Sequence, residues 1–549
     1  MKLVIIGGVA GGATAAARAR RLDEKAQIVI FERGEYVSFA NCGLPYYVGQ
    51  VIKERAELLV STPETFKGKY NIDVRVQTDV LAIDRQAKRV RVRDLQTGQS
   101  FDEPYDKLIL SPGAEPLRPP LPGVDLPGVF SLRSIPDSDR IKAVVDAGQA
   151  KTAVVIGGGF IGLEMADNLV ERGLKVTLVE ALDQLMPPLD REMAALAHQN
   201  ARAKGVDLRL STKITGFAQA QGGGLTVDTE GGGQITCDMA ILSVGVRPEN
   251  ALAKAAGLEL GPRGHILVNN ALQTNDPDIY AVGDAVQIWD YVTGLPVAIA
   301  LAGPANRQGR IAADNAMGRL SVYRGSLGTA VVKLFGQTIA STGPSQKFLA
   351  QNNVAHLVSY SHSANHATYY PGAETMLVKL IFAPSSGRVL GGQIVGGEGV
   401  DKRIDVLATA IRAGMSVFDL EELDLAYAPP FGSARDPINV AGMVAANIMR
   451  GDVKAVLPPA VAAMDPERDV LIDLRFKEEL DEAATIPGSL HIPLPMLRAA
   501  LPGLDKSKRY ILYCAIGLRG YLGYRIMSQS GFEAVNLGGG YGLYTPWMS

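Results

Sequence analysis

Over the first 180 residues the apolar positions come in short unbroken runs, not in alternation. Residues 3–6, 27–31, 152–156 and 175–179 are four or five residues each, mostly Val, Ile and Leu. Runs of that length, apolar toward both faces, predict parallel strands covered by helices on each side. Between the first two runs lie Gly7-Gly8-Val9-Ala10-Gly11-Gly12 and an Ala/Arg-rich stretch, 13–22, that predicts a helix. Between the second two lie Gly157-Gly158-Gly159-Phe160-Ile161-Gly162 and a helical pattern reaching about Arg172. The order strand, glycine turn, helix, strand therefore occurs twice, about 150 residues apart, and is the chain's internal repeat.

Further on the texture changes. Residues 325–450 mix strand and helix patterns, with strands expected near 330–342, 355–360, 376–383 and 389–396. Pro458-Pro459 interrupts 452–465, which reads as a linker. The residues after it form a compact α/β pattern of their own. There a strand ends at Cys514, a loop bends through Gly517, and a helix is expected near Tyr521.

Bulk properties narrow the picture. A chain of 549 residues, 47% apolar and 20% charged, holds about three to five domains, each able to bury a core. A formal net charge of −2 argues against a nucleic-acid surface. The first residues run straight into a buried strand, so no signal peptide is expected, and no apolar run is long enough to span a bilayer. Three cysteines do not make a disulfide framework, and no metal-ligand spacing is present. A cytoplasmic protein with reactive thiols is the expectation.

A glycine turn between strand and helix lets backbone N–H groups approach a pyrophosphate, and an acid about 20 residues on accepts from the ribose hydroxyls. Gly157, Gly159 and Gly162 fit fully, with Glu180 as the acid. Gly7 and Gly12 fit with Glu32, but Val9 stands at the middle glycine. Two dinucleotide sites follow. Glu180 would repel a 2′-phosphate, and no arginine follows in Ala181-Leu182-Asp183-Gln184, so NADH is expected over NADPH.

The segment from Thr274 through Tyr280-Ala281-Val282-Gly283-Asp284 resembles the second FAD motif of pyridine-nucleotide disulfide reductases, whose aspartate holds the ribityl chain. The resemblance assigns FAD to the first unit. Ser38-Phe39-Ala40-Asn41-Cys42-Gly43-Leu44-Pro45-Tyr46 is similar to the single-cysteine branch of that family: coenzyme A disulfide reductase, NADH peroxidase and NADH oxidase. Tyr47 stands where other members carry a second cysteine. Cys42 is then expected to act through a mixed disulfide, a persulfide or a sulfenic acid. Residues 1 to about 450 carry this resemblance. It places FAD at Gly7, Gly8, Val9, Ala10, Gly12, Glu32, Arg33, Asn41, Gly113, Gly283, Asp284 and Ala302. It places the nicotinamide cofactor at Gly157, Gly159, Phe160, Ile161, Gly162, Glu180 and Gly245.

The same resemblance implies coenzyme A (CoA) contacts at Thr14, Arg18, Arg21, Ser38, Asn41, Lys69, Arg307 and Arg435, where cations suit the CoA phosphates. For Arg18 and Arg21 a solvated basic helix face is the plainer alternative. Tyr369 and Tyr427 match tyrosines that reach the partner subunit's redox sulfur in a homodimer, where a phenol can donate to a leaving thiolate. Residues 1–197 contain no histidine, which counts against peroxidase chemistry.

The C-terminal block resembles a rhodanese domain. Its active loop, Cys-x-x-Gly-x-Arg-Gly, stands as Cys514 to Gly520. Successive N–H groups in such a loop form an anion nest that stabilises a thiolate or persulfide. Arg519 is either part of that electrostatics or a structural ion-pair partner. Cys237 reads as a small buried hydrophobe.

The expected architecture is α/β with two Rossmann-like dinucleotide-binding domains, an α+β dimerisation domain and a C-terminal rhodanese domain. The spans are 1–113 with 250–322 for FAD, 114–249 for NAD(P)H, 323–450 for dimerisation, 451–465 as linker and 466–549 for rhodanese. The expected activity is NADH-dependent reduction of persulfide, polysulfide or CoA persulfide at Cys42, with Cys514 handling sulfane sulfur. CoA disulfide reduction is the alternative, NADH oxidation a further one, and a non-catalytic docking rhodanese another.

Overall fold

Four five-stranded sheets organise the described residues, and the apolar runs form the middles of the first two. The computed structural model describes residues 1–548; Ser549, the last residue of the expected rhodanese span, lies outside the described residues. In the first sheet the parallel order is Ile279–Ala281, Lys107–Leu110, Lys2–Ile6, Gln27–Phe31, Asp73–Arg75. In the second it is Asp207–Arg209, Lys175–Val179, Thr152–Ile156, Met239–Leu242, Val129–Phe130, again parallel. Leu3, Val4 and Ile5 are fully buried, as strands covered on both faces require.

The first helix runs Ala10–Leu22, three residues earlier than the pattern predicts. Ala10, Gly11 and Gly12 are its first turn, closed by Ala13 N–H donating to the Val9 carbonyl at 2.9 Å. The second helix, Phe160–Glu171, starts in the same way, with Leu163 N–H on the Gly159 carbonyl at 3.0 Å.

The chain divides into two compact units, residues 1–183 with 205–328, and residues 184–204 with those from 329 onward. Helix Arg191–Ala203, inside the span expected for NAD(P)H, falls in the second unit. A buried charge cluster ties it there. Lys379, fully buried, pairs with Asp190 at 2.9 Å and with Glu192, and the Tyr360 hydroxyl donates to Glu192 at 2.7 Å. Charges so desolvated persist only when paired.

The second unit's first sheet is antiparallel, in the order Ala330–Leu334, Gln337–Thr342, Val389–Gly396, Thr375–Phe382, Leu357–Ala364. The single strand expected over 330–342 is a hairpin. Phe335 (φ 49°) and Gly336 (φ 81°) make a two-residue turn with both central residues left-handed. A phenylalanine in such a turn hides it from a reading of turn residues.

The last sheet is parallel, in the order Ala455–Val456, Glu533–Leu537, Arg509–Tyr513, Asp469–Asp473, Leu490–His491. Its edge strand comes from 451–465. That segment is therefore not a free linker: Ala455 and Val456 pair with Asn536 and Leu537, and Pro459–Ala462 is helical. The helix after Cys514 is Leu518–Gln529, three residues ahead of the expected start, because Gly517 at φ 95° turns the chain directly into it. Among the described residues no helix is long and apolar enough to cross a membrane.

Candidate active site

The two glycine turns share one geometry. Gly7 takes φ 92° and Gly157 φ 106°, and a Cβ on either would lie 2.1 or 2.3 Å from the carbonyl oxygen of Ser111 or Ser243. A Cβ on Gly12 or Gly162 would lie 1.9 Å from the carbonyl oxygen of Gly7 or Gly157. Only glycine permits these approaches. The acids match as well. Glu32 accepts from Gly8 N–H at 2.8 Å and Gly34 N–H at 2.7 Å; Glu180 accepts from Gly158 N–H at 2.7 Å and Leu182 N–H at 2.8 Å. Each carboxylate is thus fixed beside its turn. Gly113 (φ 75°) and Gly245 (φ 108°) hold matching places on the neighbouring strand ends, two residues beyond Ser111 and Ser243.

The first turn is covered by a further layer. A Cβ on Gly11 would meet Val282 at 2.9 Å, and one on Gly309 would meet the Gly11 carbonyl at 2.2 Å, so helix Ala302–Ala316 packs backbone to backbone on the first helix. Gln308, nearly fully buried, accepts from Gly283 N–H at 2.7 Å and sets the turn that carries Asp284. Burial raises the Asp284 carboxyl above its ordinary value, with Arg133 opposing. Arg33 and Arg133 both pair with Glu249, Arg133 at 3.0 Å. Ile161, the counterpart of Gly11, is 38% exposed, so among the described residues the second turn has no such cover. A Cβ on Gly113 or Gly159 would meet no atom within 4 Å, so open space lies beside both turns. Nests of N–H groups, open glycine backbone and a buried carboxyl fit a resident dinucleotide at the first turn and a second one at the other.

Cys42 lies in a short 3-10 turn, Asn41–Gly43, and is exposed. Its own N–H donates to Asn41 Oδ1 at 3.1 Å. Desolvation of the thiol raises its pKa, and the carboxylates of Glu164 and Asp284 raise it further. Glu164 comes from the second dinucleotide helix and Asp284 from the segment closing the first, so Cys42 stands where the two nucleotide units meet. The Tyr46 hydroxyl donates to Glu164 at 3.0 Å, and burial raises the Glu164 carboxyl. Sequence reasoning missed Glu164. Its signal was there: it is the one charged side chain in Phe160-Ile161-Gly162-Leu163-Glu164-Met165-Ala166.

The positions expected for CoA are of two kinds. Thr14 Oγ1 donates to Asn306 Oδ1 at 2.5 Å, and Arg18 Nε pairs with Asp314 at 2.7 Å, so both face helix Ala302–Ala316. Arg18 is thereby held by a carboxylate and is not a free phosphate ligand at Nε. Arg21, Asn41, Lys69, Arg307 and Arg435 are exposed, Ser38 half-buried. Arg435 belongs to the second unit and the others to the first.

In the second unit Tyr369 and Tyr427, 58 residues apart, share a hydrogen bond between their hydroxyls at 2.8 Å. That bond raises the Tyr369 pKa. Both rings are exposed, and Phe431, four residues after Tyr427, is exposed too.

Cys514 is fully buried, and Gly517 N–H donates to its Sγ at 3.2 Å. The loop is closed from behind: Tyr541 N–H donates to the Cys514 carbonyl at 2.8 Å and Gly542 N–H to the Ala515 carbonyl at 2.9 Å. Arg519 makes a two-pronged ion pair with Glu479, 2.6 Å on each arm, and its charge is also favoured by Cys514. The ion pair with Glu479 is the contact that holds the Arg519 side chain. Cys237 ends a strand, is 2% exposed, and burial pushes its thiol up to about 11.

Known proteins resemble this chain over nearly its whole length. Residues 1–309 match the family described as pyridine nucleotide-disulphide oxidoreductase, 329–437 its dimerisation domain and 459–545 a rhodanese-like domain. The coenzyme A disulfide reductase of Staphylococcus haemolyticus is 36% identical over 448 residues, 81% of this chain and 100% of that protein. The reduced Bacillus anthracis CoADR-RHD structure is 46% identical with a TM-score of 0.96, covering 99% of this chain and 98% of that one. The NAD-dependent persulfide reductase from A. fulgidus is 37% identical with a TM-score of 0.92, covering 99% and 100%. This chain belongs to the pyridine nucleotide-disulphide oxidoreductase family and carries a rhodanese-like domain after the dimerisation domain.

Proposed function

We propose that the protein reduces persulfide sulfur with NADH, with CoA as the sulfur carrier, as a cytoplasmic homodimer. The observation that carries this reading is that one chain holds two thiols, each at a site of its own. Cys42 lies between the two nucleotide units, and Cys514 Sγ accepts a loop N–H at 3.2 Å. The full-length likeness to a persulfide reductase supports it.

In this reading the Gly7–Gly12 turn, Glu32 and Asp284 hold FAD, and the Gly157–Gly162 turn and Glu180 hold NADH. FAD supplies the two-electron relay between nicotinamide and sulfur. Cys42 as thiolate attacks the CoA-side sulfur of CoA persulfide. The S–S bond breaks, hydrosulfide leaves with the electron pair, and a mixed disulfide joins CoA to Cys42. Two electrons then cleave that disulfide, returning the Cys42 thiolate and CoA thiol. The sum is NADH, a proton and CoA persulfide giving NAD⁺, CoA and hydrogen sulfide. The Tyr369–Tyr427 pair of the partner subunit donates the proton to the departing sulfur. The exposed cations Arg21, Lys69, Arg307 and Arg435 serve the CoA phosphates. Cys514 takes sulfane sulfur from an upstream donor, with the loop amides bearing the persulfide charge.

Anaerobic NADH oxidation with CoA persulfide and with CoA disulfide tests this. A preference for persulfide of about a hundredfold or more in kcat/KM, about 2.7 kcal/mol, is expected. Equal or reversed preference favours the second reading, CoA disulfide reduction, which rests on the S. haemolyticus relative matching this chain over 81% of its length.

A further inference from the structure

We propose that His362 of the dimerisation domain is a positioning residue for the sulfur loop of the rhodanese-like domain. The inference rests on the reading that Cys514 accepts sulfane sulfur. His362 lies on strand Leu357–Ala364, and its Nε2 is 3.1 Å from the Gly539 carbonyl oxygen. A carbonyl only accepts, so Nε2 carries the hydrogen and donates. Desolvation of the ring lowers its pKa to about 4, and a neutral imidazole makes this contact at neutral pH.

The segment His362 grips is the one that backs the sulfur loop. Gly539 (φ 72°) and Gly540 (φ 63°) turn the chain so that the next two amides, Tyr541 and Gly542, donate to the Cys514 and Ala515 carbonyls. A Cβ on Gly540 would lie 2.4 Å from the Cys514 carbonyl oxygen and 2.7 Å from Gly517 N. A Cβ on Gly542 would lie 3.2 Å from the Ala515 carbonyl oxygen and 3.3 Å from His362 Cε1. His362, the glycine turn and the loop thus form three layers with no room for a further side chain between them. Tying down the Cys514 and Ala515 carbonyls fixes the Cys514–Ala515 and Ala515–Ile516 peptide groups, the stretch of loop that leads to Gly517, whose N–H donates to Sγ. The helix that follows, Gly540–Met548, also packs on helix Arg191–Ala203 of the same unit, a second seat for the segment. Sulfur uptake by the rhodanese-like domain is therefore conditioned by a side chain outside it.

The test follows sulfur loading of Cys514 in the full-length, FAD-loaded protein without NADH. The Cys514 thiolate attacks inorganic polysulfide, one S–S bond breaks, and the polysulfide leaves one sulfur shorter with the electron pair. Peptide mass spectrometry reads the one-sulfur gain on Cys514 separately from Cys42. His362→Phe is expected to lower the maximal loading rate about five- to tenfold, the scale of one lost buried donor, with half-saturating polysulfide within about twofold. His362→Gln, whose amide can donate to Gly539, is expected to restore the rate to within about twofold. NADH-to-ferricyanide turnover, which bypasses sulfur, is expected unchanged in both and reports an intact fold. Should His362→Phe not accumulate, Gly542→Ala strains the same joint from the other side and is expected to slow loading. Wild-type loading in His362→Phe or in Gly542→Ala, or a His362→Gln rate as low as that of His362→Phe, overturns the inference. A wild type that gains sulfur nowhere on Cys514 overturns the underlying reading and this inference with it.

Discussion

At the first glycine turn a Cβ on Gly11 would run into Val282, and at the second the matching Ile161 lies 38% exposed. Three features beneath that layer are shared: the left-handed first glycine, the carbonyl contacts of Gly12 and Gly162, and a glutamate held by two backbone amides. One local motif therefore stands in two different surroundings. Where helix Ala302–Ala316 and the Asp284 turn close over it, a dinucleotide would be enclosed and retained. At the second turn Ile161 is left exposed, and a dinucleotide would be free to enter and leave. The contrast to be tested is therefore in the covering layer, since the glycine contacts are the same at both turns.

The sharpest way to break that contrast is to damage each turn alone. Gly12→Ala places a Cβ 1.9 Å from the Gly7 carbonyl and is expected to yield protein without visible flavin absorbance. Gly162→Ala makes the same clash at Gly157, yet is expected to keep the flavin while the KM for NADH rises about a hundredfold. If both variants lose flavin, the two turns are not independent.

Cys42→Ser tests what lies where the units meet. Sulfur reduction is expected to fall at least about a thousandfold, with NADH-to-ferricyanide turnover within about twofold of wild type. Persulfide turnover near wild type would remove Cys42 from the reaction. A smaller effect is expected at Glu180, whose carboxylate is fixed beside Gly158 and Leu182. Glu180→Ser should raise the kcat/KM ratio of NADPH to NADH about tenfold; an unchanged ratio would locate the discrimination elsewhere.

Glu164→Gln carries a pH signature. Burial raises the Cys42 pKa, and the Glu164 and Asp284 carboxylates add to the shift. Removing the Glu164 charge favours the thiolate, so the midpoint of Cys42 alkylation against pH moves down and alkylation at neutral pH is faster. A midpoint moving up would reverse the assigned sign. The smallest change expected is Gly159→Val, which gives the second turn the side chain of the first. The Gly159 φ is ordinary and its Cβ direction is open, so thermal unfolding should shift by less than about 1 kcal/mol while the KM for NADH rises a few fold.

Local features are legible in the chain itself. The glycine motifs, the isolated Cys42 and the Cys514 loop are each set within a few consecutive residues, and the glutamates follow their turns at a fixed spacing of about 20, so spacing alone carries the geometry. The pattern misleads where a distant partner decides the outcome. Ala455–Val456 becomes a strand only because Asn536 and Leu537 offer it an edge. Phe335 accepts a left-handed turn because strands Ala330–Leu334 and Gln337–Thr342 pair in register around it. Arg18 reads as a free cation on a helix face, yet Asp314 is brought against it from 296 residues away.

By itself the sequence determined that two glycine turns with their glutamates, an isolated cysteine and a rhodanese-like cysteine loop occur in this order, because each is a pattern of glycine, acid and thiol at fixed spacing along the chain. Only the tertiary structure decided which turn is covered, that Glu164 and Asp284 converge on Cys42, that Tyr369 meets Tyr427, and that His362 braces the loop of Cys514. Those contacts join residues far apart in the chain. Packing and desolvation, which no local spacing encodes, select them.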